Sequence, residues 1–242
     1  EKRPIHYAIG PKIHWVTPFN MVQEVLRDKR FGADVRKYEA RVKNIEKRMS
    51  ERDLEVFNNP SMLDLDPPDH SRIRRLAQRG FLHNFIQSLE PKIREIVRNC
   101  FAQTANMEHW DVIEALAKPL PATVIAEMMG LPEKDHAQFQ TWGEDLINST
   151  GTNDSDKIIK GQQSSRALRK YFRDIIRERR GTEGADLIHQ LIEAEEAGDK
   201  LTEIELYNTC LLLLVAGHET TTRLIGNGLY LLLTHPKQLA WL

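Results

Sequence analysis

The chain has 242 residues, 40% of them hydrophobic and 29% charged, with a formal net charge of −1. That is enough apolar material for one large domain or two ordinary ones, and the charge balance gives no global pull toward nucleic acid or an anionic membrane. Its two cysteines, Cys100 and Cys210, form no CxxC pair, which argues against a disulfide framework and for a reducing, cytoplasmic setting.

No secretory signal opens the sequence, because Glu1 to Pro11 is mixed and polar. The longest apolar stretch, Cys210 to Gly217, is far short of the roughly 20 residues a membrane-spanning helix needs. There is no initiator Met, and the last residues fall inside an apolar phrase, so the fold is expected to be incomplete at both ends.

Residues 13–17 (Ile-His-Trp-Val-Thr) alternate and carry β-branched side chains, which predicts a short strand closed by Pro18. Met21 to Arg27 reads as a short helix with Val22, Val25 and Leu26 on one side. Gly32 to Pro60 is patternless and highly charged, a long loop with room for one exposed helix.

Helical patterns dominate from Pro67 onward. Pro67-Pro68 start one helix, and Glu90-Pro91 start another that runs to about Thr104 with Ile93, Ile96, Val97 and Cys100 as its stripe. Thr123 to Met129 is a third, ended by Gly130, and Pro132 opens the next. A turn-rich linker at 151–155 leads to an amphipathic helix over 157–180. Leu168, Tyr171, Phe172, Ile175 and Ile176 line one face of it, and Arg166, Arg169, Lys170, Arg173, Arg177 and Arg180 lie mostly elsewhere around it. Asp186 to Ala194 is shorter. Thr202 and Glu205 have capping-box spacing and begin the longest helix, which runs to about Thr234 before Pro236 stops it. At 1.5 Å per residue that is a rod of roughly 50 Å, a central beam of the fold. The fold class is mainly α with a small β element near the N-terminus, in one domain over 1–242.

Two segments carry chemical information. The first is Ala216-Gly217-His218-Glu219-Thr220-Thr221-Thr222, inside the long helix. A mid-helix Gly costs about 1 kcal/mol relative to Ala, and threonine hydroxyls compete for backbone carbonyls. A locally opened helix is therefore expected, where a flat ligand approaches Ala216 and Gly217 beside the Thr220 hydroxyl and the Glu219 carboxyl. The bland alternative is a buried helix with a polar stripe. His218-Glu219 also begins the zinc-protease pattern His-Glu-x-x-His, but position 222 is Thr, so the pattern fails at a ligand. The second segment is Asp66-Pro-Pro-Asp-His70-Ser-Arg-Ile-Arg74. His70 and Arg74 share a helix face and can act on one anion; Ile73, Leu76 and Ala77 form the core face. A solvated basic face is the equally open alternative.

Together the segments resemble the cytochrome P-450 family, in its soluble bacterial type. Weaker matches at Trp15-Val16-Thr17, Val25 to Phe31, Leu131-Pro132-Glu133 and His235-Pro236-x-Gln238-Leu239 agree, so the resemblance covers nearly the whole chain. It implies a helical haem-monooxygenase fold, here a partial domain, holding haem b. His70 and Arg74 would bind the propionates. Ala216 and Gly217 would leave room over the ring, with Thr221 beside it, and Leu63 and Phe81 would pack at its side. Glu219 and Thr220 would be the catalytic acid–alcohol pair that delivers protons during dioxygen activation. The axial Cys is expected beyond Leu242, so no metal ligand is assigned within the chain. Neither cysteine sits in the open Gly-rich loop such a thiolate needs.

The resemblance further implies a small organic substrate, and electrons from NAD(P)H through a ferredoxin or flavodoxin-type partner docked on Arg72, Arg75 and Arg79. The state implied is a cytoplasmic monomer without membrane or nucleic-acid partner. Substrate contacts are expected from Gly32 to Pro60, from Leu146 to Asp156 and from the long helix. The rival reading is a non-catalytic helical module that binds nucleic acid through Arg166 to Arg180; a degenerate metal hydrolase ranks below it.

Overall fold

The computed structural model describes residues 5–8, 13–37, 42, 57–81, 83–150, 152, 154–196 and 201–241. Its strands β1 (Ile5–Ala8) and β2 (Ile13–Val16) pair antiparallel, with Ile5 opposite Val16 and Ala8 opposite Ile13. The second is the strand expected at 13–17. The first, four residues long, carries no pattern of its own. Helix α1 (Phe19–Arg27) follows. The loop expected over 32–60 lies largely outside the described residues; within it a 3₁₀ turn occupies Val35–Lys37.

Helix α2 (Asp69–Gln78) begins directly after Pro68 and buries Ile73, Leu76 and Ala77, the anticipated core face. A 3₁₀ turn (Arg79–Phe81) leads to α3 (His83–Ser88) and then α4 (Glu90–Thr104). A π-helical turn at Ile113–Ala117 runs into α5 (Pro119–Met128). That helix starts before Thr123 because Pro119 and Pro121 occupy its first turn, where a missing N–H breaks no internal bond. It stops where Gly130 turns to φ 65°, a conformation costly for residues with a Cβ. Helices α6 (His136–Asn148) and α7 (Ser155–Arg179) form an antiparallel pair whose seam is an edge-to-face cluster of Phe139, Trp142, Tyr171 and Phe172. Asp154 caps α7 by accepting from the N–H groups of Asp156 and Lys157.

Helix α8 (Leu187–Glu196) is fastened to its surroundings by one carboxylate. Asp186 accepts from Arg179 Nη1 at 2.7 Å, from the backbone N–H groups of Ile188 and His189, and pairs with His189 Nδ1 at 2.8 Å. Arg179 also donates to the carbonyls of Met129 and Gly130. The end of α5, the end of α7 and the start of α8 thus share one polar knot.

Helix α9 (Glu203–Thr234) is the expected beam, opened by a complete capping box between Thr202 and Glu205. It packs on α5, α6, α7 and α8. Its first turns are in the core: Leu206, Tyr207, Asn208, Thr209, Cys210 and Leu214 are buried. Pro236 does more than stop it, since it opens the short helix α10 (Pro236–Leu239). The anticipated opening at the threonines is absent. The helix is continuous, because Thr220 and Thr222 donate to the carbonyls of Ala216 and His218 at 2.6 and 3.0 Å, one turn back, without displacing the ladder. Among the described residues no helix is long and apolar enough to cross a membrane.

Candidate functional site

The middle of α9 divides into two faces. His218 and Thr222, one turn apart, are buried. Ala216, Thr220, Thr221 and Leu224 are exposed. Gly217 belongs with the inner side. A Cβ built there would come 3.3 Å from Ile125 Cδ1 of α5, so its missing side chain lets two helices approach and leaves no gap on the outer face. On the outer face the smallest side chain of this turn is that of Ala216. Glu219, half-buried between the faces, accepts from Arg223 Nε at 2.6 Å. Past Leu224 the helix exposes Tyr230, Leu231 and Leu233, each more than half accessible.

The other expected residues sit on and around α2. His70 is half-buried and Arg74 exposed on one side of that helix, and among the described residues neither side chain has a protein hydrogen-bond or ion-pair partner. Leu63 and Phe81 flank the helix and are 69% and 37% accessible, so both present apolar surface outward. Arg72 is different. It pairs with Glu205 in the first turn of α9, tying the two informative segments together. Its charge is thus shared with a structural contact between α2 and α9. Arg75 and Arg79 remain exposed.

The three regions expected to contact a substrate do meet. A cavity of about 480 Å3 is walled by Asp34, Val35 and Arg36, by Phe57, Asn59, Pro60, Ser61 and Asp64, by Leu146, Ile147, Ser149 and Thr150 around the end of α6, and by Asn208, Leu211, Leu212 and Val215 of α9. Val215 is the residue before Ala216, so the cavity opens along α9 up to the chemically distinctive turn. Asn208 braces it, its amide donating to the Asn59 carbonyl at 2.7 Å. Three wall residues lie outside the expected regions: Ser61 and Asp64, just past Pro60, and Arg169 of α7. Arg169 is the one far from them in sequence. It stands three positions before Phe172, on the edge of the buried stripe, a position that the charge pattern had assigned to the surface.

The rival features fare less well. Of the basic residues on α7, Lys170 is held by Asp174 at 2.9 Å and Arg169 lies over the Tyr207 ring, so two of the set are engaged within the protein. Thr222, where a zinc site needs a histidine, spends its hydroxyl on its own helix. His218 is buried with Nε2 unpartnered, and burial holds its imidazole below the ordinary range despite Glu144 and Glu219 nearby. Cys100 and Cys210 are both buried on helices. Burial raises the Cys100 thiol and pushes that of Cys210 up to about 12, so both are inert as thiolates at neutral pH.

Comparison with known proteins places this arrangement. The family model described as Cytochrome P450 matches residues 43–240. Cytochrome P450 CYP107DY1 of Priestia megaterium is 34% identical over 240 residues, which is 97% of this chain and 58% of that protein. The cytochrome P450 monooxygenase PikC of Streptomyces venezuelae is 37% identical over 96% of this chain and 53% of its own. The solved structure of the myxobacterial cytochrome P450 CYP267B1, in complex with myristic acid, superposes with a TM-score of 0.81 at 34% identity, covering 96% of this chain and 58% of that one. The chain thus spans a little over half the length of the relatives it matches.

Proposed function

Since the chain belongs to the cytochrome P450 family, we propose that the whole protein is a haem-dependent monooxygenase that oxidises a small, largely apolar organic molecule. The observation that carries this reading is the cavity along α9, where three segments far apart in sequence converge next to the Ala216–Thr221 turn. Haem, when bound, supplies the dioxygen activation that side chains cannot perform.

The residues present fit such a group. His70 and Arg74 are cationic or hydrogen-bonding donors with no protein acceptor among the described residues, which suits two carboxylates on a ring edge. The outer face of α9 offers Ala216, with minimal bulk, and Thr221. Leu63 and Phe81 offer exposed apolar surface for the ring's flank. Neither Cys100 nor Cys210 is assigned as a metal ligand, since both are buried and protonated.

The roles of the chain's own groups follow from their hydrogen bonds. The Thr220 hydroxyl gives its proton to the Ala216 carbonyl and leaves its oxygen lone pairs on the outer face, where it can accept; rotation makes it a donor there. Glu219 sits one residue away, tethered to Arg223, which is 71% accessible. Release from that solvent-facing partner frees its carboxylate to exchange protons between Thr220 and water. The apolar wall of Leu211, Leu212 and Val215 excludes water from the substrate side. Electrons are proposed to come from NAD(P)H through a separate ferredoxin or flavodoxin-type protein docked near Arg75 and Arg79.

The test is the visible spectrum of the protein purified from its source, reduced and exposed to carbon monoxide. A strongly red-shifted haem band is the expected result. Absence of any haem signal refutes the reading. His70→Ala with Arg74→Ala should lower haem retention without unfolding the protein; unchanged retention would remove their assignment.

A further inference from the structure

Among the described residues, the cavity wall contains one charge that no opposite charge answers. Arg36 is neutralised by Asp34, with contacts of 2.7 and 2.9 Å, and also donates to the Asn58 carbonyl. Asp64 is exposed to water and accepts the Ser61 hydroxyl at 3.0 Å. Arg169 has no carboxylate and no hydrogen-bond acceptor among the described residues, and its Nε is buried without a partner. Its guanidinium lies 5.9 Å from the centroid of the Tyr207 ring, which is itself 4% accessible. A cation–π contact of this kind positions a cation and leaves its charge and its N–H donors unspent.

Such an arrangement is costly unless something completes it. A partly buried guanidinium without an acceptor loses hydration that nothing replaces. The remaining wall combines apolar Phe57, Leu146, Ile147, Leu211, Leu212 and Val215 with a few neutral polar groups, among them Ser149, Thr150 and Asn208, and it holds no further carboxylate; none of these groups accepts from Arg169 Nε. We propose that Arg169 is the anchor for a carboxylate on the substrate, so that this cavity selects apolar molecules carrying one carboxylate group. A guanidinium and a carboxylate match in geometry, forming two parallel charge-assisted hydrogen bonds. The acid would seat at Arg169 on α7 and extend its apolar body along α9 toward Val215 and Ala216. The proposal rests on reading this cavity as the substrate chamber.

The experiment titrates the holoprotein with lauric acid and with methyl laurate, following binding by heat and by the haem absorption band. The acid should bind at least about tenfold more tightly than the ester, as expected for one charge-assisted pair. Arg169→Gln should bring the two within about twofold while ester binding is kept, and Arg169→Lys should retain part of the preference. Equal affinities in the parent protein, or an acid preference that survives in Arg169→Gln, would overturn the proposal. The parent comparison needs no variant to fold. A holoprotein with a thiolate-type spectrum that binds acid and ester alike defeats this inference and leaves the monooxygenase reading intact. Acid-selective heat without any haem signal would do the reverse.

Discussion

Replacing Asp186 with alanine removes four hydrogen bonds at once, and their values can be estimated separately. Two are cap bonds to the N–H groups of Ile188 and His189, whose loss costs about 1 kcal/mol. The third is the ion pair with Arg179, whose side chains are 16% and 20% accessible. Removing one partner of a fully buried pair costs about 3–5 kcal/mol. Here partial exposure and the surviving bonds from Arg179 to the Met129 and Gly130 carbonyls reduce that to about 2 kcal/mol. The fourth, to His189 Nδ1, adds a smaller amount. The expected loss is about 3 kcal/mol. Asp186→Asn keeps an oxygen for the cap and loses the charge, so it should cost about half as much. Urea unfolding of the parent and both variants, with stability taken from linear extrapolation, measures this directly. If Asp186→Ala fell within about 1 kcal/mol of the parent, the knot would be ornamental and the reasoning wrong. Equal losses for both variants would show that the cap contributes nothing.

Thr220→Ala should leave thermal stability nearly unchanged, since the exposed hydroxyl bonds only its own helix, while NAD(P)H consumption uncouples from product; unchanged coupling, read as product per NAD(P)H, would dismiss its proton role. Burial of His218 keeps its imidazole neutral in the folded protein, so the unfolded chain takes up the extra proton below about pH 6.5. Stability should therefore fall as pH drops below that value, and His218→Gln should flatten this part of the profile; a parallel pH profile for the variant would contradict the assignment. Cys210, with its thiol near 12, should resist alkylation at pH 8 in the folded state and react on unfolding, as mass spectrometry of labelled peptides can show. Labelling of native Cys210 at the rate of a free thiol would contradict its burial. Glu205→Gln, which keeps the capping oxygen but loses the Arg72 pair, should cost less than about 1 kcal/mol in the same urea assay, and Glu205→Ala about 1 kcal/mol more.

Much of the helical framework was legible in advance because its signals act over one turn. Thr202 and Glu205 announce the start of α9, Glu90-Pro91 that of α4, and Gly130 the end of α5; each works through bonds between residues three or four apart. The stripe of Leu168, Phe172, Ile175 and Ile176 marked the buried face of α7 for the same reason. The chemically distinctive residues were also visible, since Gly217 and three threonines sit badly in a helix chosen only for its propensity. The sequence could name Glu219, Thr220, His70 and Arg74 as candidates.

What those residues face was decided by packing. Strand β1 exists only because β2 lies beside it. Gly217 opens onto Ile125, about ninety positions away, so its role in helix contact could not be read from its neighbours. Arg72 and Arg74 look alike in sequence, yet one is tied to Glu205 and the other has no partner among the described residues, because only one of them faces α9. Arg169 reads as one more surface cation until Tyr207 is placed beneath it and the end of α6 beside it. Periodicity encodes which side of an element is apolar. Which element arrives on that side depends on the joint packing of many side chains, and that information belongs to no single stretch of the chain.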